Sequence, residues 1–234
     1  MESLTQSLSM ALSLLVGMDA PLLEVIWLSL TVSFAAVLFA SLIGFPLGAL
    51  VAVGDFPGRR LATVALNALV GLPAVVVGLL AYLMLSRSGP LGSLGLLFTP
   101  TAMVIAQTIL ITPLVAALAR QVIEDAWREY REQLISLGAT RPRASLTLLW
   151  DTRFSLATVV LVGFGRAVAE VGTVMIVGGN IAGVTRTMTT TIALETSKGD
   201  LPLALALGMV LVGVVFLMNG MAYLMREWSM RRYG

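Results

Sequence analysis

The chain has 234 residues, 58% of them hydrophobic and 12% charged, a net charge of +2, and neither cysteine nor histidine. A mean hydropathy of +0.94 excludes an ordinary soluble domain and marks an integral membrane protein. Thiol chemistry, disulfides, Cys/His metal sites and imidazole catalysis are excluded too, and the single lysine, Lys198, stands in no phosphate-cradling glycine loop, so the chain is not its own ATPase.

Residues 1–20 are predicted to lie along the outer interface as an amphipathic helix, with Leu4, Leu8, Ala11, Leu12 and Leu15 on one face and Thr5, Ser9 and Ser13 opposite. A disordered leader is the alternative. The run is too short to cross a bilayer, is broken by Asp19 and Pro21, and lacks the basic start of a signal peptide.

From residue 21 to 234 the chain reads as one membrane domain, since roughly 20 apolar residues span the roughly 30 Å hydrocarbon core. Five such segments are predicted, at about 22 to 53, 61 to 85, 99 to 119, 154 to 178 and 201 to 225. The first is long enough to require tilt or bending, and Gly44, Pro46 and Gly48 allow it. Asp55 to Arg60, with Pro57-Gly58, is a tight turn to the second segment. Eleven arginines lie on one side of these segments, against Arg87, Arg186 and Lys198 on the other. The excess marks the cytoplasm, so the N-terminus is expected outside and the C-terminus inside, with Trp228 and Tyr233 as interfacial anchors.

Eleven charged residues crowd between Arg120 and Arg153, a polar segment (120–153) on the cytoplasmic side. It reads as a helix to Leu137, a left-handed cap at Gly138, and a second short helix from Thr140 as capping residue, through Arg141 and Pro142, to about Trp150. In isolation such a segment is a solvated connector between spans.

Glu132-Gln133-Leu134, Gly138-Ala139 and Leu148 stand at the spacing of the E-A-A-x-x-x-G signature of ABC importer permeases, although Gln133 and Leu134 replace its alanines and Trp150-Asp151 its usual Leu-Pro. The resemblance covers nearly the whole chain. SLIGFPLGALVAV, LPAVVVGLLAYL, FTPTAMVIAQTIL and GRAVAEVG resemble the oxyanion branch, and GGNIAGVTRTMTTTIALETSKGD is most similar to tungstate permeases.

That resemblance implies an all-α type I importer permease with about five transmembrane helices in the inner membrane of a prokaryote. It implies a homodimer with two ATPase subunits, which bind ATP and Mg, and an extracytoplasmic oxyanion-binding protein; the chain itself carries no cofactor and meets no nucleic acid. Tungstate is the first expected substrate, with molybdate or sulfate as alternatives. The helix after Gly138 is then the coupling helix, and Glu132, Gly138, Ala139, Thr140, Arg141, Pro142 and Arg143 are its candidate docking residues. An intramembrane enzyme would need nucleophiles or a metal set that are missing here. An ATP-independent carrier or channel would not need the glycine-cornered segment, and the chain shows no inverted repeat.

Arg166 lies midway along the fourth segment, where an unpaired arginine costs about 2.5–3.5 kcal/mol, and Glu170 is one turn away. The two either lock helices as an ion pair or line the pathway. Beyond them Asn180, Thr185, Arg186, Thr187 and Thr189 offer groups that suit an oxyanion gate, or that cap an interfacial helix. Glu195, Lys198 and Asp200 are candidates for a surface facing a delivery protein, while Asn67 and Gln107 are expected to hydrogen-bond across helices.

Overall fold

The computed structural model describes residues 9–13, 17 and 20–233, without the side chains of 222, 225, 226 and 228–233. Residues 9–13 are helical, with Ala11 buried and Leu12 exposed. The other residues expected to shape the interfacial helix, Leu4, Thr5, Leu8 and Leu15, lie outside the described residues, as do the side chains of Trp228 and Tyr233.

Among the described residues the regular structure is all helical, with helices α1 (Ala20–Val53), α2 (Arg59–Val70), α3 (Ala74–Leu85), α4 (Pro100–Ser136), α5 (Arg141–Asp151), α6 (Arg153–Val168), α7 (Gly172–Gly178), α8 (Met188–Lys198) and α9 (Leu201–Tyr233). A 3-10 turn at Gly92–Leu94 lies in the loop before α4. Three helices are long and apolar enough to cross a membrane unaided, α1, α4 and the Leu201–Met221 part of α9, and counting each of two bent pairs as one span brings the number to five.

The helices differ from the expected segments in three places. The segment 61–85 is two helices, because Pro73 lacks an N–H and disfavours helical backbone in the residue before it. The third does not end at residue 119 but continues as α4 to Ser136, since the i to i−4 ladder is indifferent to whether side chains face lipid or water. The fourth stops at Val168 and restarts at Gly172, leaving Glu170 in the gap.

The chain forms two compact units. One contains residues 1–35, 73–107 and 165–217. Its core packs Val32, Met103 and Val174 in one cluster, and Ala81, Leu85, Ala102, Ala106 and Val177 in another. Here α3 and α7 lie close: a Cβ on Gly78 would stand 3.0 Å from Thr173 Cα, and one on Gly172 would stand 3.0 Å from Val75 Cγ2.

The other unit contains residues 36–72, 108–164 and 218–234. In it α1 and α4 approach closely, where Gly44 and Gly48 form a small-x-x-x-small face. A Cβ at Gly48 would meet Ala116 O at 2.7 Å and Arg120 N at 2.9 Å, and one at Gly44 would meet Val115 Cγ1 at 2.9 Å. Close backbone approach of this kind drives helix association where lipid removes the hydrophobic incentive. The glycines at 44 and 48, expected to let α1 bend, admit a neighbouring helix. No residue of α2 is buried, so its apolar residues Leu61, Val64 and Leu69 are left open by this chain.

Candidate functional site: a glycine elbow and a helix break

The charged segment folds as an elbow. At its corner Ala139 N donates to Leu134 O (2.9 Å) and Gly138 N to Ile135 O (2.9 Å), the paired bonds of a Schellman cap. Gly138 takes φ +73, a left-handed conformation that costs a residue with a side chain about 1 kcal/mol or more. Thr140 occupies the N-cap of α5, but its hydroxyl makes no capping bond. Pro142 in the first turn explains this in part, because it removes one of the N–H groups a capping hydroxyl normally reaches.

The inner face of α5 is apolar: Ala144 and Leu148 are buried against Ala49, Ala52, Val53 and Ile123, with Trp127 and Leu134 alongside. Burial of a leucine in an aqueous segment contributes about 1.5–3 kcal/mol, enough to hold the helix down. Its outer face is exposed, with Pro142 and Arg143 at the start, then Leu146 (68%) and Trp150 (73%). Arg153 stacks over the rings of Trp150 and Phe154. Glu132 is exposed on α4 and Ala139 half-buried at the corner.

A cluster of charges fastens the elbow at its base. Glu124 receives Arg59 through Oε1 (3.2 Å), Arg128 through Oε1 (3.4 Å), and Arg120 through Oε2. Arg59 also donates to Val51 O and Ala52 O, each at 2.8 Å, and so satisfies two end carbonyls of α1. Arg141 pairs with Asp55 at 2.8 Å. Sequence reasoning had not singled out Glu124 or Arg59, although Arg120, Glu124 and Arg128 at successive i, i+4 positions are a readable signal.

In the other unit, the gap between α6 and α7 is held on every side. Glu170 is 4% exposed; its Oε2 accepts from Arg166 Nη1 at 2.6 Å and its Oε1 from Thr173 N at 3.2 Å. Its backbone carbonyl accepts from Thr189 Oγ1 (2.8 Å), while Gln107 Nε2 reaches Ala167 O (3.1 Å) at the end of α6. Thr173 Oγ1 donates to Ala74 O at the start of α3 (2.8 Å). The Arg166 side chain, by contrast, is 45% exposed.

The threonines are buried rather than displayed. Thr185 donates to Gly178 O and accepts from Ile181 N, and Thr187 forms a capping box with Thr190 at the start of α8, whose Met188 N donates to Ser29 Oγ at 2.7 Å. Asn180 sits at φ +50, its carbonyl accepting from Arg186 Nη2 at 3.5 Å. Thr187 and Thr190 thus cap α8, while Thr185 and Thr189 hold the backbone carbonyls of Gly178 and Glu170. Glu195 is buried and paired with Lys198 at 2.9 Å, and Asp200 Oδ1 accepts from Leu203 N, while Asn67 stands exposed on α2. Of the two amides expected to bridge helices, Gln107 does so.

No protein-family profile matches the chain. It is 39% identical over 227 residues to the tungstate uptake system permease protein TupB of Peptoclostridium acidaminophilum, covering 97% of this chain and 100% of that protein. It is 37% identical to a probable anion ABC transporter permease protein of Haloferax volcanii, over 91% of this chain and 94% of that one. Among solved structures, an inward-facing MetNI methionine ABC transporter matches with TM-score 0.74 and 18% identity, over 90% of this chain and 97% of that one, and shares the fold. With identity at this level running through nearly the full length of both chains, this multi-pass membrane protein belongs to the family of ABC transporter permeases that includes the tungstate uptake permeases.

Proposed function

We propose that the chain is the membrane subunit of an ATP-driven importer of a tetrahedral oxyanion, tungstate first. The observation that carries this is the 39% identity to a tungstate uptake permease along the whole of that protein. In the working assembly two copies pair in a prokaryotic inner membrane, N-termini outside, with two ATPase subunits that bind ATP and Mg and a binding protein that delivers the ion. ATP closes the ATPase pair, α5 moves with it, and the spans alternate between inward and outward access.

The elbow supplies the coupling. Gly138 and Ala139 make the corner, Thr140, Arg141, Pro142 and Arg143 open the docking helix, and Glu132 flanks it. An exposed outer face carrying Leu146 and Trp150, on a helix otherwise pinned by Ala144 and Leu148, supports this reading. Arg166 with Glu170, and Asn180, Thr185, Arg186, Thr187 and Thr189, form the wall of the passage. Their hydroxyls are spent on internal bonds, which suits a gate that must release its ion as readily as it admits it.

Reconstitution with the cognate ATPase and binding protein tests the proposal. ATP-dependent accumulation of tungstate in vesicles, with molybdate and sulfate compared in the same assay, is the expected result. Failure to assemble with any ATPase, or transport without ATP, would overturn it.

A further inference from the structure

Arg166 and Glu170 are unequal partners. The carboxylate is 4% exposed and both its oxygens are occupied, one by the arginine and one by Thr173 N, so its charge is screened on the inside of the fold. The guanidinium gives one of its five N–H groups to that carboxylate by the bond described, and its side chain stands 45% exposed. A pair serving only to cancel two charges in an apolar setting gains most when both members are enclosed.

The surroundings are rigid on the side of the acid. Gln107 from α4 holds Ala167 O, Thr189 from α8 holds Glu170 O, and Thr173 ties α7 to the start of α3, so the position of Glu170 is fixed from three other helices. Interrupted helices are tolerated at membrane depth where protein groups satisfy the freed backbone. Here they do, and the side chain left projecting is cationic.

We propose that the break between α6 and α7 is built to present Arg166 to the transported dianion, with Glu170, behind it in the same wall, as its positioning residue. This rests on the oxyanion-importer reading. Charge-assisted N–H donors from a planar guanidinium suit a tetrahedral oxyanion. A single arginine, partly neutralised by its carboxylate, holds the ion weakly enough to let it go.

The test uses the assembled complex in vesicles, with tungstate as the probe and ATP hydrolysis read in parallel. Arg166→Gln alone strands a buried carboxylate, so the deciding variant is Arg166→Gln with Glu170→Gln, which removes both charges and keeps an acceptor for Thr173 N. It is expected to assemble and hydrolyse ATP while tungstate uptake falls at least tenfold. Arg166→Lys, which retains the charge, should stay within a few-fold of the parent, and Glu170→Gln alone, which frees the guanidinium but keeps the helix cap, should fall between the two. Parental uptake by the double variant would overturn the proposal, and so would its failure to assemble, because the pair would then be a structural pin. A parent complex that moves no tungstate would instead refute the importer reading.

Discussion

Arg141, the first residue of α5, donates from Nη2 to Asp55 Oδ2 at 2.8 Å, joining positions 86 residues apart. Both side chains are largely in water, 48% and 78% exposed, so the pair contributes little to stability, about 0.2–1 kcal/mol. Its effect is geometric: it ties the tip of the proposed docking helix to the loop that follows α1.

Asp55→Arg should therefore leave folding nearly untouched and lower the number of ions moved per ATP. The exchange of both charges, Asp55→Arg with Arg141→Asp, should recover much of that loss. Transport and hydrolysis measured in the same vesicles decide it, and equal ratios in all three proteins would dismiss the tie.

Gly48 is expected to tolerate no side chain. An alanine methyl would press on Ala116 O and Arg120 N, backbone atoms that cannot turn aside, and overpacking of this kind costs about 1–3 kcal/mol. Gly208→Ala, where an added methyl meets nothing within 4 Å, is the control. Thermal unfolding in detergent should separate the two, the first lowered and the second unchanged or raised.

Removing Glu124 should be worse than removing any one of its arginines. Glu124→Ala leaves Arg120, whose side chain is 10% exposed, without the carboxylate it shares, and breaking such a pair costs up to about 3–5 kcal/mol when fully buried, less here because Glu124 is 20% exposed. Arg128→Ala, at 72% exposure, should cost under about 1 kcal/mol. Yield and melting temperature of the purified variants give the ranking.

At Gly138 the cost is conformational and not steric, since a Cβ there meets nothing within 4 Å yet φ is +73. Alanine should destabilise the corner by about 1 kcal/mol, and asparagine, which tolerates this conformation better, by less. The uptake-to-ATPase ratio should follow the same order: parent, asparagine, alanine.

The elbow was legible because its signals are local. Gly138, Thr140 and Pro142 are punctuation that the backbone obeys wherever it lies, and the predicted corner and helix limits agree with Ser136, Gly138 and Arg141 to within a residue. The break at 169–171 was not, as no proline marks it. It exists because Gln107 and Thr189, distant in sequence, supply bonds that a continuous helix would have made for itself. The threonines are half legible for a related reason: a sequence shows the hydroxyls but not their acceptors, and the fold pairs them with Gly178 O, Thr187 O and Glu170 O.

Arg59 also sets an order of events during synthesis. Its bonds to Val51 and Ala52 reach back only 8 and 7 residues, so they can close while the chain is still emerging. Glu124 lies 65 residues further on, and at 5–20 residues per second it arrives about 3 to 13 s later. Over that interval Arg59 has the end carbonyls of α1 within reach but not its carboxylate, and the base of the elbow can be completed only when α4 has been made.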